Sequence, residues 1–452
     1  MPRQLPLKGL TYDALTGIKG LARAGARPRL RSTAAVLTTM TALAATSLIA
    51  GPSVAEPFSA QPCALQRTDA HHSEGLDTWN AAYPRPSRAL DAVMLFLSFP
   101  DAPPRTTPAE LAADHFPATS DFFARASYGK FTLRPHPLRH WIRMPEPSTA
   151  YAIQRDWSAA HRAAYLRDAL AAADREVDFS RYDIVYFVAD PDAPGVDSDA
   201  TKVVNLDVPL RADGTDIRRV VTVFEKHPPD RLVLAHETGH VFDLPDLYHR
   251  PVDGKGDWDT YVGDWDLMGS QFGLAPDLFA WHKWKLGWLE PRQVVCVRGG
   301  GSSRLTLESL GAHPAATAYA RAYADDEGRT GVAGAPVFGQ GSGVKLAVVR
   351  TGVDRALAFE ARGATGNDST TCTQGVLVYR VHGGAESGGG PVEVVDAHPR
   401  TEACWEDSVY PPLADAPVAL GESFTVPGEN VRVEVEGRTA SGAWTVQITA
   451  AD

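Results

Sequence analysis

The sequence predicts an α+β protein, and three observations lead to this prediction. Apolar strand patterns alternate with helical patterns up to about residue 292, which is typical of a sheet covered by helices. Glycine-rich breaks then separate short β-type runs as far as the C-terminus. The chain of 452 residues, with 44% hydrophobic and 22% charged residues, is long enough for two or three domains and a substantial core.

The first 55 residues have the composition of a secretory signal peptide. Seven basic residues and one acid fall within residues 1–31, whereas residues 32–55 carry no charge. The apolar run Ala34–Ala50 is followed by Ser53-Val54-Ala55, a small-x-small pattern that suits cleavage after Ala55. The alternative is an N-terminal membrane anchor, but the run is short and threonine-rich for a span of roughly 20 residues. We therefore expect a secreted, extracellular protein.

Removal of residues 1–55 would leave a strongly acidic chain. The formal net charge would fall from −11 to −17, because seven basic residues and one acid are lost. Such a charge disfavours binding to nucleic acid and to anionic membranes. We expect neither as a partner of the processed protein, and we expect a monomer.

The remaining chain divides into four predicted parts. Residues 56–90 are irregular and form a short N-terminal segment or pro-segment, and residues 91–292 form the first α+β domain. Its strand patterns are Ala92–Phe99, Lys130–Leu133, Asp183–Val188 and Ile217–Phe224. Its helical patterns are 119–127, with Thr119 or Ser120 as the N-cap, and Ser158–Arg175.

The C-terminal third is predicted to be mostly β. Residues 293–412 contain glycine-rich breaks between short strand patterns, which are Lys345–Arg350, Ala356–Ala361 and Val376–Val381. In residues 413–452, apolar and polar residues alternate strictly on both sides of a glycine-containing turn. The apolar positions are Val431, Val433, Val435, Trp444, Val446 and Ile448. This alternation predicts an antiparallel hairpin with one buried face.

The five residues His236-Glu237-Thr238-Gly239-His240 predict a metal site on a helix. Asp230 precedes the apolar run before them and no proline intervenes before Pro245, so a helix is favoured. Two histidines at i and i+4 lie on one helix face, where both imidazoles can reach one zinc ion. Glu237 between them can act as the general base for a zinc-activated water. The alternative is a surface helix that carries two histidines by chance.

A zinc hydrolase usually has three protein ligands and one open position. No glutamate lies between Glu237 and Glu290, which disfavours a glutamate ligand further along the chain. Asp246 lies six residues beyond His240, and Pro245 before it cannot easily continue a helix. We therefore predict Asp246 as the third ligand. The alternatives are Asp243, His249, Asp264 and Asp266.

Two residues near the histidines are predicted to have structural roles. Asp243 would end the helix, since aspartate tolerates left-handed backbone geometry better than most residues. Met268, in a turn of the segment Gly263–Ser270, would pack beneath the histidines without binding metal, although most methionines simply fill cores.

In combination these residues resemble the secreted zinc metallopeptidases of the immune inhibitor A type, within the metzincin-like zincins. The strongest resemblance lies in His236–His240, Leu244–Tyr248, Trp265–Met268 and Ala280–Leu289. Weaker similarity lies in Phe99–Asp101, Ser127–Lys130, Glu360–Arg362 and Gly375–Arg380, so the resemblance covers roughly residues 91–400.

The resemblance implies a zincin-like catalytic domain over residues 91–292, in which an active-site helix lies beside a mixed sheet. By matching position, His236, His240 and Asp246 would bind zinc and Glu237 would be catalytic. The chain departs from the family pattern at two positions. Asp243 stands where the family usually has glycine, which puts the turn and the third ligand in doubt, and His249 stands where an acid is common.

The predicted function is that of a secreted zinc endopeptidase acting on proteins or peptides. Tyr248 and Tyr261 are candidate donors to the transition-state oxyanion, or else packing tyrosines. One alternative function is a secreted binding or adhesion protein on an inactive zincin scaffold, for which Asp243 is the only argument. Another is zinc-dependent hydrolysis of a non-peptide bond, which a motif does not exclude.

The four cysteines predict two disulfides in an exported chain, with three possible pairings. We expect Cys372–Cys404 and Cys63–Cys296. The alternative for Cys63 is a free thiolate that caps the zinc in a latent precursor.

An acidic loop containing Asp253, Asp257 and Asp259 suggests calcium as a second metal, because hard oxygen donors suit that ion. The sequence has no full EF-hand pattern here, and the alternative is an ordinary solvated loop.

Overall fold

The structure, a computed structural model, describes residues 61–230, 232–251, 255–312 and 343–451 and confirms the α+β class. The predicted signal peptide and Asp253 lie outside these ranges. The described α-helices are α1 (Pro108–His115), α2 (Ala118–Ala126), α3 (Ala159–Ala173), α4 (Val233–Val241), α5 (Ala280–Lys285) and α6 (Pro411–Ala414). In the part of the chain so described, no helix combines the length and apolar character needed to cross a membrane.

The first sheet carries the helix with the two histidines. Its strands are β1 (Ala89–Ser98), β2 (Thr132–Arg143), β3 (Ile184–Ala189), β4 (Lys202–Ala212) and β5 (Thr215–Val223), in the order β2-β1-β3-β5-β4. The first four in that order are parallel, and β4 is antiparallel to β5 at the edge. The β4–β5 turn is tight because Asp213 and Gly214 both have positive φ, which aspartate and glycine tolerate.

Helices cover both faces of this sheet, as its almost continuous apolar strands require. On one face Leu95 and Leu97 of β1 pack in a core with Tyr165 and Leu166 of α3. On the other face Met94 of β1 packs in a second core that includes residues of α2 and α4. The sheet therefore supports α4 from below.

Two further sheets form the C-terminal half. The second contains β6 (Val294–Val297), β8 (Leu346–Arg350), β9 (Arg355–Arg362), β10 (Gly375–His382) and β11 (Val392–Val394), in the order β11-β10-β9-β8-β6. The third contains β7 (Gly301–Leu307), β12 (Ser423–Thr425), β13 (Val431–Arg438) and β14 (Trp444–Ala450), in the order β12-β13-β14-β7. The predicted hairpin is confirmed as β13 and β14, whose alternate valines are buried.

The second sheet shares its core with the helix α4. Leu377 and Tyr379 of β10 belong to the same buried cluster as Leu234 of α4 and Met268. The described residues accordingly belong to one compact unit. Whether the predicted divisions near residues 90, 292 and 412 mark separate domains stays a prediction.

Three local predictions need correction or extension. The N-cap of α2 is Pro117, without a side-chain hydrogen bond, so the assignment of Thr119 or Ser120 was wrong. Strand β2 runs well past Leu133 in spite of Pro135 and Pro137. Proline has no N–H group to donate, and a strand at the edge of a sheet tolerates this where the position faces solvent. Helix α1 was missed, although Thr107 and Glu110 form a capping box at its start.

The predicted disulfide pairings are confirmed. Cys63 is bonded to Cys296 with a Cα–Cα distance of 5.5 Å, and Cys372 to Cys404 with a distance of 6.4 Å. The alternative role of Cys63 as a zinc-capping thiolate is therefore wrong for this structure. Two disulfides are compatible with an oxidising, extracellular environment.

Candidate metal centre

Helix α4 presents the two histidines and ends directly after them. All of its nine residues are buried, so it is an internal helix and not a surface helix. Asp243 has a φ of 65°, and this left-handed residue lets the Leu244 N–H turn back to the Gly239 carbonyl at 3.2 Å. The predicted role of Asp243 in ending the helix is confirmed.

The helix lies closely against Met268. This side chain is fully buried, and a Cβ atom added at Gly239 would overlap its Sδ atom. The Met268 carbonyl also accepts a hydrogen bond from the Leu247 N–H at 2.9 Å, which fixes the chain just beyond Asp246. Gly239 thus allows Met268 to pack directly against the helix that carries the two histidines.

Hydrogen bonds to backbone carbonyls orient both imidazoles. His236 Nδ1 lies 2.9 Å from the Leu267 carbonyl oxygen, and His240 Nδ1 lies 2.8 Å from that of Leu244. A carbonyl oxygen only accepts, so each Nδ1 must carry the hydrogen. The Nε2 atom of each neutral ring is then left with a free lone pair, which is the arrangement that a metal ligand needs.

Asp246 meets the histidines at one point. Its Oδ1 atom lies 3.3 Å from His236 Nε2 and 2.9 Å from His240 Nε2. This oxygen is buried, yet neither approach has hydrogen-bond geometry. The three donor atoms lie within 4.8 Å of one another, and two ligands of a tetrahedral zinc would be about 3.3 Å apart. The three converging lone pairs, one of them on a buried oxygen without a hydrogen-bond partner, fit a zinc ion.

The electrostatics of the protein alone agree with this geometry. Burial lowers the pKa of His240, but the charge of Asp246 outweighs it and raises that pKa to about 9. Burial acts against the Asp246 carboxylate too, yet the histidines hold its pKa well below the usual range. The site therefore favours a cation in the position that the three side chains surround.

The alternative third ligands lie elsewhere, each with other partners. Asp243 binds Arg67 and His72, and His249 Nδ1 lies 3.1 Å from the Tyr261 hydroxyl. Asp264 accepts from the N–H groups of Leu274 and Val409, and Asp266 from those of Met268 and Phe279. Of the five candidates for the third ligand, only Asp246 lies next to the two histidines.

Ser387 holds the third ligand in place. Its hydroxyl donates to Asp246 Oδ2 at 3.0 Å and accepts from the Asp246 N–H at 2.8 Å. The Gly388 N–H donates to the Asp246 carbonyl at 2.9 Å. Sequence reasoning missed Ser387, because the segment Gly383–Gly390 looked only like a glycine-rich break between strands.

Glu237 lies beside the metal position and lines the same cleft as the two histidines. Its Oε2 atom accepts a hydrogen bond of 2.7 Å from the N–H of Val203, on the edge strand β4. Burial raises the pKa of Glu237, although the neighbouring histidines oppose this effect. A carboxylate with a raised pKa, fixed by one backbone donor, is suited to accept a proton.

The two candidate tyrosines differ in position. Tyr248 lines the cleft with His236 and Glu237, and its ring stacks near that of His236 at a centroid distance of 6.4 Å. Burial raises the pKa of Tyr248, so its hydroxyl remains protonated and can donate. Tyr261 is engaged by His249 and does not line this cleft.

Residues of the segment 61–88 line the cleft too, which sequence reasoning did not foresee. His71 and His72 lie at its wall, and the ring of His72 stacks on that of His240 at 5.7 Å. Asp243 anchors this segment, since its carboxylate accepts from Arg67 Nη1 at 2.7 Å and contacts His72 Nδ1 at 3.0 Å. The residue that ends the helix thus also fixes one wall of the cleft.

The acidic loop forms no such metal centre in the described part of the chain. The three-ligand group found there is His236, His240 and Asp246, which includes neither Asp257 nor Asp259. Calcium stays a prediction, because Asp253 is outside the described residues.

Comparison with protein-family models and with curated proteins found no match for this chain.

Proposed function

We propose that this protein is a secreted zinc endopeptidase with a zincin-like catalytic domain. The observation that carries the proposal is the convergence of His236 Nε2, His240 Nε2 and Asp246 Oδ1 on one point, beside Glu237. A zinc ion bound there would polarise the scissile carbonyl and lower the pKa of a bound water.

Residues of the chain itself would supply proton transfer, oxyanion stabilisation and binding of the polypeptide. Glu237 takes the proton of the attacking water and delivers it to the leaving amine. Tyr248, which lines the cleft, would donate its hydroxyl hydrogen to the oxygen that becomes negative in the transition state. The edge strand β4, which bonds to Glu237 through Val203, forms one wall of the cleft in which a polypeptide is held.

The alternative of an inactive scaffold depended on Asp243. Its carboxylate faces Arg67 and His72, and its backbone supplies the left-handed turn that a glycine would supply. This position therefore offers no support for an inactive site. Export is part of the proposal, supported by the signal-like N-terminus and by the two disulfides.

Zinc content and casein cleavage test the proposal together. We expect about one zinc per chain, cleavage that a chelator abolishes, and a loss of roughly 100-fold or more in Glu237→Ala with zinc retained. His240→Ala should lose both zinc and cleavage, whereas Glu146→Ala, an exposed glutamate outside the cleft, is the control. Equal cleavage by Glu237→Ala and the wild type would refute the mechanism.

A further inference from the structure

The cleft has two parts that meet at His236, Glu237 and Tyr248, beside the metal position. Two adjoining cavities, of about 470 and 640 Å³, are both lined by His236, Glu237 and Tyr248. An extended chain that occupied both would pass the metal between them. The two ends of the cleft can therefore contact residues on opposite sides of the scissile bond.

One end of the cleft is basic. The charged residues that line it beyond the metal site are the four bases Arg155, Arg162, Lys202 and Arg250 and the two acids Asp156 and Asp199. Arg250 reaches Asp156 at 3.7 Å, in a pair that is mostly exposed. In the described ranges no carboxylate lies in ion-pair contact with the other three bases, which hydrogen-bond only to carbonyls or stack on a ring.

The positive charges of these bases repel one another across the cavity. Burial lowers the pKa of Lys202, and the nearby charges of Arg162 and Arg250 act in the same direction, opposed by those of Glu237 and Asp156. Lys202 Nζ donates to the carbonyl of Arg155 at 2.5 Å, which holds the ammonium at the cavity wall. An anionic side chain placed here would relieve repulsion as well as gain attraction.

The other end of the cleft is acidic. Its charged lining consists of the acids Asp199, Glu225, Asp230 and Asp259 and the bases Arg155 and Lys226. Burial raises the pKa of Glu225, and the charge of Asp230 adds to this effect. Burial likewise raises the pKa of Asp259 to about 6, with Asp264 contributing. Both carboxylates are therefore held near other negative charges, and a cation there would be stabilised.

We infer that the cleft selects polypeptides by charge order, with acidic side chains at the end formed by Arg162 and Lys202 and basic ones at the end formed by Glu225 and Asp259. The inference rests on the proposed peptidase function, since it names the substrate class of the same site. The chain itself is acidic overall, so its net charge alone would not attract an acidic segment. The local arrangement of the cleft provides the selection.

Two labelled peptides of identical composition test the inference. One carries two aspartates before a central apolar pair and two lysines after it, and the other has these charges in reverse order. Their binding to the zinc-loaded Glu237→Gln protein is measured by fluorescence anisotropy, and their cleavage by the wild type is measured separately. We expect one order to be preferred roughly tenfold at about 0.02 M salt, and the preference to shrink at about 0.5 M.

Two variants on helix α3 test whether the cleft causes the preference for one order of charges. Arg162→Glu should reduce the preference severalfold, through the dissociation constant and KM more than through kcat. Arg167→Glu is the matched control, because it makes the same change on the same helix at a residue that pairs with Asp168 and does not line the cleft. It should keep the preference of the wild type.

The outcomes separate the two proposals. Equal binding of both peptides at low salt, or a preference that Arg162→Glu leaves unchanged, overturns the charge-order inference whatever the cleavage assay gives. Ordered binding without cleavage of either peptide or of casein supports the inference about the cleft and counts against the peptidase function.

Discussion

The hydroxyl of Ser387 makes two hydrogen bonds to Asp246, one to its carboxylate and one from its backbone N–H. Ser387 lies 141 residues further along the chain, between β10 and β11 of the second sheet. The third candidate ligand is therefore held by a different sheet from the one that carries the two histidines. The C-terminal half of the protein thus contributes to the candidate metal centre.

This relationship predicts that Ser387→Ala weakens metal binding without unfolding the protein. Loss of a partner that orients a ligand typically costs about 10- to 100-fold in metal affinity. Competition with a chromogenic chelator measures this change directly. Ser302→Ala, which removes an exposed hydroxyl from the third sheet, is the control and should keep the affinity of the wild type. Unchanged zinc affinity in Ser387→Ala would show that the serine does not orient the ligand.

The sequence was sufficient for the fold class, the hairpin β13–β14 and the group of side chains at the candidate metal centre. These features follow from local periodicity or from the spacing of a few residues within one segment. The i, i+4 histidines and the aspartate six residues later lie on one helix and the turn after it, so local geometry nearly suffices to bring them together.

The features that sequence reasoning missed depend on contacts between distant segments. Nothing in the segment Gly383–Gly390 distinguishes Ser387 from other loop serines until β10 and β11 bring it to Asp246. His71 likewise reaches the cleft through contacts of its segment with distant residues, among them the contact of Arg67 with Asp243. The predicted strand ended at Leu133, whereas β2 continues to Arg143 through Pro135 and Pro137, which are tolerated because β2 lies at the edge of the sheet.

A second prediction concerns the close contact between Gly239 and Met268. An alanine in place of glycine normally stabilises a helix by about 1 kcal/mol. Here the added Cβ would overlap the Met268 Sδ atom, so Gly239→Ala should instead lower the free energy of unfolding by about 1–3 kcal/mol. Thermal denaturation of the single variants and of Gly239→Ala with Met268→Ala measures the coupling. If the double variant is no more stable than additivity predicts, the clash is not the cause.

A third prediction follows from the buried carboxylate of Asp243. Its side chain is fully buried beside Arg67, which is 19% exposed. Burial opposes the charged form, but the hydrogen bond with His72, the charge of Lys285 and the contact with Arg67 lower its pKa to about 2. His72 cannot replace the arginine as a cation, because burial lowers the pKa of His72 to about 4. Arg67→Met would leave the carboxylate without a charged ion-pair partner among the described residues, since Lys285 donates to the Asp243 carbonyl instead, and should cost about 2 kcal/mol of unfolding free energy.

Arg67→Met should have little effect on the unfolding free energy of a protein that lacks the Asp243 carboxylate. In Asp243→Gly the left-handed turn is kept, because glycine readily adopts positive φ. Urea denaturation of Arg67→Met in both backgrounds gives the coupling energy. We expect a cost below about 1 kcal/mol in the Asp243→Gly background. An equal loss in both backgrounds would mean that Arg67 stabilises the segment through contacts other than Asp243.

A fourth prediction concerns a buried histidine outside the metal centre. His282 lies between two carboxylates, with Nδ1 3.0 Å from Asp266 Oδ2 and Nε2 2.9 Å from Glu74 Oε1. Burial lowers its pKa, but the charges of Glu74 and Asp266 outweigh this effect and raise the pKa to about 9. Because the folded pKa exceeds the unfolded one, protonated His282 stabilises the fold fully below about pH 6.5. That contribution is lost as the pH rises through 9.

Urea denaturation of the wild type and of His282→Gln between about pH 6.5 and 9.5 checks this prediction. The stability difference between the two proteins should be largest at the acidic end of the range and should shrink steadily toward the alkaline end. His382→Gln is the control, because burial lowers the pKa of His382 and this ring is uncharged across the range. Its difference from the wild type should not change with pH. A difference for His282→Gln that is constant or grows with pH would show that the two carboxylates do not hold this histidine protonated in the folded state.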